Sequence, residues 1–220
     1  LGGKGLRMKP ISMSIPKPLI PFKDKTIIET ILDNFKQEGI SNFYFILNYK
    51  FNLLKNYLKS IKVKEKFTYL VEKQELGTAG GLFFLKKENL DTFIISNCDT
   101  LIKSNLIEMV TFHKSKKYDM TIVAAAKEFQ LPYGILDVNK NGTFKSIEEK
   151  PRKEILTNTG LYIMSKKCLT VLRSPKKIDM NDMIILLKKK GMKIGIFPIS
   201  DNKWFDFGQW NEYERTLSNL

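Results

Sequence analysis

Histidine, cysteine and arginine are scarce in this 220-residue chain, which has one histidine, two cysteines and four arginines among 37 basic side chains. Cys98 and Cys168 stand far apart, and Cys98 lies in an apolar run. That excludes a disulfide scaffold and a cysteine metal cluster, and it points to a reducing, cytoplasmic setting. The sole histidine, His113, falls inside a helical pattern and reads as structural, so no histidine-based nucleophilic triad is available. No apolar run reaches membrane-spanning length and no signal-peptide pattern is present, so a soluble chain with no membrane partner is expected. The formal charge of +14 invites a nucleic-acid partner. With so few arginines, and lysines scattered along the whole chain, there is no basic footprint, and none is expected. A diffuse positive field does favour small anionic ligands by raising their encounter rate.

A length of 220 residues suits one sizeable domain. Apolar runs alternate with helical patterns, which predicts an α/β fold: a Rossmann-like, mostly parallel sheet flanked by helices. Lys25 to Glu38 carries Ile27, Ile28, Ile31, Leu32 and Phe35 on one helical stripe ended by Gly39. Helices are also expected over 51–60, 79–87, 101–117, 181–190 and 211–220. Strands are expected over 42–47, 66–71, 92–96, 120–126, 156–164 and 193–198. Two further runs, 134–138 and 144–147, flank Asn141-Gly142, a strong hairpin signal that interrupts the alternation.

The chemistry begins in LGGKGLRMKPISMSIPKPLIP. Gly2, Gly3 and Gly5 permit close backbone approach to an anion, while Arg7 and Lys17 add fixed positive charge, a combination suited to a polyphosphate. The segment is neither a Walker loop, which needs Gly-Lys-Ser/Thr, nor a G-x-G-x-x-G dinucleotide fingerprint. A second segment, FIISNCDT, is an apolar run ending in Asp99, at the strand edge where open α/β sheets bind ligands. The alternative for Asp99 is a helix N-cap for residues starting near Lys103.

The loop GGKGLRMKPIS followed by PKPLIP resembles the signature of the sugar-1-phosphate nucleotidyltransferases, with Leu6 where that family usually has threonine. The resemblance extends in the same order through LGTAGG, NCD, PYG, EKP, NTG and WFDFG. It implies the nucleotide-diphospho-sugar transferase fold, with the hairpin covering the sugar site, and attack by a sugar 1-phosphate on the α-phosphorus of a nucleoside triphosphate. Arg7, Lys17 and Lys150 would act on the phosphates, and Asp99 with Asp206 would hold Mg²⁺. Gly2, Gly3, Gly5, Glu72, Gly77 and Thr78 would bind the nucleotide, the last two by bringing backbone against the base. Gly134, Glu149 and Asn158 would embrace the sugar. The carboxylate at Glu72 matches the Watson-Crick edge of guanine, so GTP is favoured and the guanylyltransferase branch is the nearest likeness. A solvated charge at a strand end is the plain alternative for Glu72.

Two other functions fit parts of this pattern. A catalytically silent, nucleotide-sugar-binding regulator would explain Leu6, and a UTP- or dTTP-using member would share the other motifs. A metal-dependent glycosyltransferase would show Asp-x-Asp, which Asn97-Cys98-Asp99 does not supply. A phosphate loop of this kind follows a buried strand, yet none precedes Leu1, so a first strand is expected upstream, with room there for a further domain. The particular sugar and the oligomeric state are not legible.

Overall fold

The computed structural model describes residues 14–48, 51–61, 65–208 and 213. Early in the described residues come a 3₁₀ turn, Lys17–Leu19, and a small antiparallel pair, β1 (Pro21–Phe22) and β2 (Lys25–Thr26). Helix α1 (Ile27–Gln37) starts where Thr26 and Glu29 form a reciprocal capping box, with Glu29 N donating to Thr26 Oγ1 at 3.3 Å and Thr26 N to Glu29 Oε2 at 2.8 Å. It turns out after Gly39, whose φ of +81° suits glycine.

Strands β3 (Asn42–Leu47) and β4 (Lys66–Val71) pair in parallel around helix α2 (Phe51–Ser60). Phe45 and Leu47 of β3 pack against Ile28 and Leu32 of α1 and Leu54 and Leu58 of α2. Tyr44 and Ile46 point to the opposite face, as a pleat of period two requires. The expected helix over 79–87 is a 3₁₀ helix, Gly80–Lys87. Tandem glycines at its start are poor α-helix formers, which fits the tighter 3₁₀ winding with its weaker hydrogen-bond geometry.

Beyond it, β5 (Thr92–Ser96) is followed by β6 (Thr100–Ile102), a buried three-residue strand, and helix α3 (Leu106–Ser115). A helix starting at Leu101 was expected. Leu101 and Ile102 are instead drawn into pairing with a strand far along the chain. Helix α3 begins only after Asn105, whose side chain accepts from Glu108 N at 2.9 Å.

The main sheet is formed by β7 (Met120–Gln130), β10 (Arg152–Ser165) and β11 (Ile194–Ser200), together with β5, in the order β11-β7-β10-β5. Strand β11 runs parallel to β7, whereas β10 runs antiparallel to both β7 and β5, so the sheet is mixed. The hairpin at Asn141-Gly142 is present as β8 (Ile135–Val138) and β9 (Phe144–Glu148). By reversing the chain it returns β10 alongside β7, which accounts for the direction of β10. Alternate residues of β10 serve two cores. Tyr162 and Met164 join Met180, Met183 and Leu187 of α4 (Met180–Lys189), while Leu161 and Ile163 join Leu106 and Met109 of α3. The α/β layering expected from the sequence is therefore present, with helices on both faces. A last strand, β12 (Trp204–Asp206), pairs antiparallel with β6. Among the described residues no helix is long and apolar enough to cross a membrane. The expected helix over 211–220 lies outside the described residues apart from Tyr213.

His113 is structural, as expected. It is 1% exposed, with Nδ1 2.9 Å from Thr121 Oγ1 and Nε2 3.1 Å from Ser165 Oγ. Burial holds its pKa below the ordinary 6.5; Asp119 opposes that shift and Lys114 adds to it. The folded state therefore favours the neutral ring. In the window between the lowered folded value and the unfolded 6.5, the unfolded chain binds the extra proton, so stability rises with pH there and is lost on acidification. Urea midpoints measured from pH 8 to pH 5 are expected to fall below about pH 6.5, and His113→Gln should remove part of that slope.

Candidate active site

The site gathers at one end of the main sheet, where chain segments from distant parts of the sequence are tied together. Strand β5 leads into Asn97-Cys98-Asp99, and the backbone N-H of Asn97 donates to Gly160 O at 3.0 Å. Thr100 Oγ1 donates to Thr159 O at 2.8 Å, and Thr159 Oγ1 donates to Val123 O at 2.8 Å. These bonds bind the Asp99 turn to a register shift in β10 between Asn158 and Tyr162. Gly160 sits at the centre of that shift with φ +83°, and a Cβ there would stand 2.5 Å from Asn97 Nδ2. Only glycine serves both the backbone angle and the contact.

The β6–β12 ladder brings the second carboxylate alongside. Asp206 is the register partner of Thr100, and Phe207 N donates to Asp99 O at 2.8 Å. Asp206 Oδ1 is held by Gly208 N at 2.7 Å. Asp99 and Asp206 thus occupy adjacent positions on paired chain segments. Asp99 is not a helix cap, because Asn105 caps α3.

Lys17 completes this group. It is 8% exposed, and its ammonium bonds Asp99 Oδ2 directly. Its Nζ also lies 3.1 Å from the place a Cβ on Gly208 would occupy, and Asp206 Oδ1 lies 2.5 Å from the same place. The cation therefore sits beside both acidic residues, in a space that a side chain at position 208 would fill. The thiol of Cys98 is pushed up by burial and by neighbouring Asp99, with Lys17 opposing, so the neutral thiol is the favoured form.

Glu72, at the end of β4, is 8% exposed rather than a solvated charge. Its Oε2 accepts from Asn48 Nδ2 at 3.1 Å, and its Oε1 lies against the Cα of Gly81. Gly77 has φ +72°. The Thr78 N-H donates to Asp179 Oδ1 at 3.0 Å, and the Thr78 hydroxyl accepts from Met180 N at 2.7 Å. The N-H and hydroxyl of Thr78, whose backbone was expected against the base, are thus occupied by the start of α4. What the turn has left to present is the backbone around Gly77.

On the hairpin side, Gly134 and Glu149 adjoin. A Cβ at Gly134 would stand 2.7 Å from Glu149 Oε2. Lys150 is exposed in the left-handed region, φ +47°, and makes no ion pair among the described residues. Asn158 Nδ2 donates to Tyr162 OH at 2.8 Å, and its Oδ1 accepts from Gly160 N at 3.1 Å, so it braces the register shift. Gly2, Gly3, Gly5, Leu6 and Arg7 lie outside the described residues. The sequence motifs assigned no role to Asn97, Thr159, Gly160 or Gly208, and none of them included Asn48 or Asp179. Of these, Gly160 and Gly208 carry a readable signal, each being the glycine that closes a motif, NTG and WFDFG.

A family model described as nucleotidyl transferase matches residues 1–220. The chain belongs to the nucleotidyl transferase family. Among its family relatives, the D-glycero-alpha-D-manno-heptose 1-phosphate guanylyltransferase of Campylobacter jejuni is 29% identical over 222 residues, covering 99% of this chain and 96% of that protein. Mannose-1-phosphate guanylyltransferase 1 of Arabidopsis thaliana is 28% identical over 223 residues, covering 97% of this chain. This chain spans about 61% of the length of that plant relative and of the yeast mannose-1-phosphate relatives. The crystal structure of HddC from Yersinia pseudotuberculosis superposes with a TM-score of 0.75 at 25% identity, covering 99% of this chain and 95% of that one. As in other members of this family, the candidate phosphate-facing groups lie where an α/β sheet of this kind offers a ligand edge.

Proposed function

We propose that this chain transfers a nucleotidyl group from a nucleoside triphosphate to a sugar 1-phosphate. A phosphate oxygen of the sugar 1-phosphate attacks the α-phosphorus, the bond from that phosphorus to the bridging oxygen breaks, and pyrophosphate leaves with the electron pair. The products are a nucleoside diphosphate sugar and pyrophosphate. The observation that carries this reading is the meeting of Lys17, Asp99 and Asp206 at one sheet edge.

No covalent enzyme intermediate is needed, so the work of the side chains is positioning and charge compensation. Lys17 would move from Asp99 to a reacting phosphate, Lys150 would approach from the hairpin side, and Arg7 would hold the departing pyrophosphate. Asp99 and Asp206 would hold Mg²⁺. Among the described residues no group of three or more His, Cys, Asp or Glu is placed to hold a metal, so the protein would supply two carboxylates. That donor set fits Mg²⁺, which commonly takes one or two carboxylates and completes its shell with water and substrate phosphates. When bound, it would neutralise charge on the phosphate oxygens.

The hairpin, with Gly134 and Glu149 at its base, would cover the sugar, and Asn158 would reach a hydroxyl beside the Asp99 turn. GTP is the favoured triphosphate. The full-length heptose relative is named a guanylyltransferase, and buried Glu72 offers a carboxylate suited to the N-H groups of guanine. A mannose-like sugar 1-phosphate follows from the same relatives.

The test is a pyrophosphate-release screen of GTP, ATP, UTP, dTTP and CTP against mannose-, manno-heptose-, glucose- and glucosamine-1-phosphate. Turnover with GTP and a mannose-type phosphate is expected. Activity with no pair, alongside retained binding of nucleotide sugar, would instead favour the regulatory reading that Leu6 suggests.

A further inference from the structure

The helix cap of α4 is exchanged with a turn about a hundred residues upstream, and that exchange has a consequence for nucleoside recognition. Asp179 is the N-cap residue of α4 by backbone position, with φ −90° and ψ 159°, yet its side chain makes no bond to its own helix. Its carboxylate instead accepts the Thr78 N-H at 3.0 Å and faces the Thr78 hydroxyl at 3.4 Å. That hydroxyl in turn accepts from Met180 N at 2.7 Å. Thr78 thus caps α4, and Asp179 caps the turn at Thr78.

The backbone follows the same course. Ile178 N donates to Leu76 O at 3.0 Å, and Ala79 N donates to Ile178 O at 3.0 Å. A Cβ on Gly77 would stand 2.6 Å from Asp179 Oδ1 and 2.7 Å from Ile178 O, and one on Gly80 would run into Lys176 O. The glycines of this turn therefore exist to let residues 176–179 lie against it. On its other side the turn reaches Gly81, whose Cα meets Glu72. Asp179 and Thr78 are themselves exposed, so the clamp stands at an open face rather than in the core.

We propose that Asp179 is a positioning residue for the nucleoside: by holding Thr78 it sets where the Gly77 turn stands relative to Glu72, and so how well the base is bound. The proposal rests on the nucleotidyl-transfer reading. It predicts a change in nucleoside affinity without a change in the chemical step. A negative charge is not required, because an amide oxygen accepts the same N-H.

The experiment compares wild type with Asp179→Ala, Asp179→Asn and Thr78→Val, each first checked by circular dichroism and thermal melting. KM for GTP should rise about tenfold in Asp179→Ala, the effect of losing one or two hydrogen bonds, with kcat within about twofold and KM for the sugar phosphate unchanged. Asp179→Asn should restore the wild-type value, and Thr78→Val should resemble Asp179→Ala. Affinity for a fluorescent mant-GTP, measured by direct titration, should fall by the same factor. A proportionate loss of kcat with both KM values, or unchanged GTP affinity in a folded Asp179→Ala, overturns the proposal. Should the wild type release no pyrophosphate with any triphosphate, the functional reading fails, and the mant-GTP titration still decides the role of Asp179. Should Asp179→Ala not fold, Thr78→Val and Asp179→Asn decide it by the same titration.

Discussion

Asp99→Asn is expected to lower pyrophosphate release by about two to three decades, the cost typical of removing one charge-stabilising group from a transfer site. The substitution keeps the shape of the side chain and leaves the backbone bonds of the turn in place: Phe207 N to Asp99 O, Asn97 N to Gly160 O, and Thr100 Oγ1 to Thr159 O. The fold should therefore persist. What is lost is the negative charge beside Asp206, which is also the counter-charge of Lys17. Because Lys17 is buried, removing its counter-charge should also lower stability, by about 1.5–3 kcal/mol for a charge-assisted hydrogen bond. Stopped-assay pyrophosphate release and a urea melt measure the two effects separately. A variant that retains the wild-type rate would remove Asp99 from the reaction and leave it as a structural partner of Lys17.

That both effects meet at one residue bears on how much the sequence could disclose. Asp99 was legible because an apolar run ended in a polar triplet, a pattern with a physical meaning at a sheet edge. Asp206 was legible only through its motif, since nothing local in WFDFG indicates a partner. The reason for its position lies in β6, three residues whose period-two pattern is too short to read and whose partner strand is distant in sequence. For the same reason Leu101 and Ile102 looked like the first turn of α3. The apolar stripe fitted, and a long-range pairing overrode it. Direction within the sheet was illegible too: an apolar run is equally compatible with either direction, and β10 takes its own from the hairpin that precedes it. Glu72 and Thr78 show a subtler limit. Their residue types were noticed, but the burial of Glu72 and the use of Thr78 as a cap for α4 depend on Asn48 and Asp179, which carry no motif of their own.

Lys17→Met should produce two opposite changes, and their combination separates a catalytic cation from a structural one. Pro16 and Pro18 flank Lys17 on a short 3₁₀ turn whose residues are buried, so its side chain is delivered in a restricted direction onto Asp99. Gly208 leaves the space in which the ammonium stands beside Asp206. The ammonium thus occupies the neighbourhood of the two carboxylates proposed for Mg²⁺. A cation there and a divalent ion repel one another, and each would weaken the other's hold. A methionine keeps most of the side chain's volume and removes the charge. Turnover is then expected to fall by about two to three decades, because a reacting phosphate loses its lysine. Affinity for Mn²⁺ in the absence of nucleotide, followed by electron paramagnetic resonance, should rise by about tenfold as the competing cation disappears. In the double variant Lys17→Met/Asp99→Asn, the loss of turnover should be well short of the sum of the single losses, since both side chains serve one charge arrangement. Weakened Mn²⁺ binding in Lys17→Met would show instead that the ammonium holds Asp99 in its ligating position, and strictly additive losses would place the two residues in separate steps.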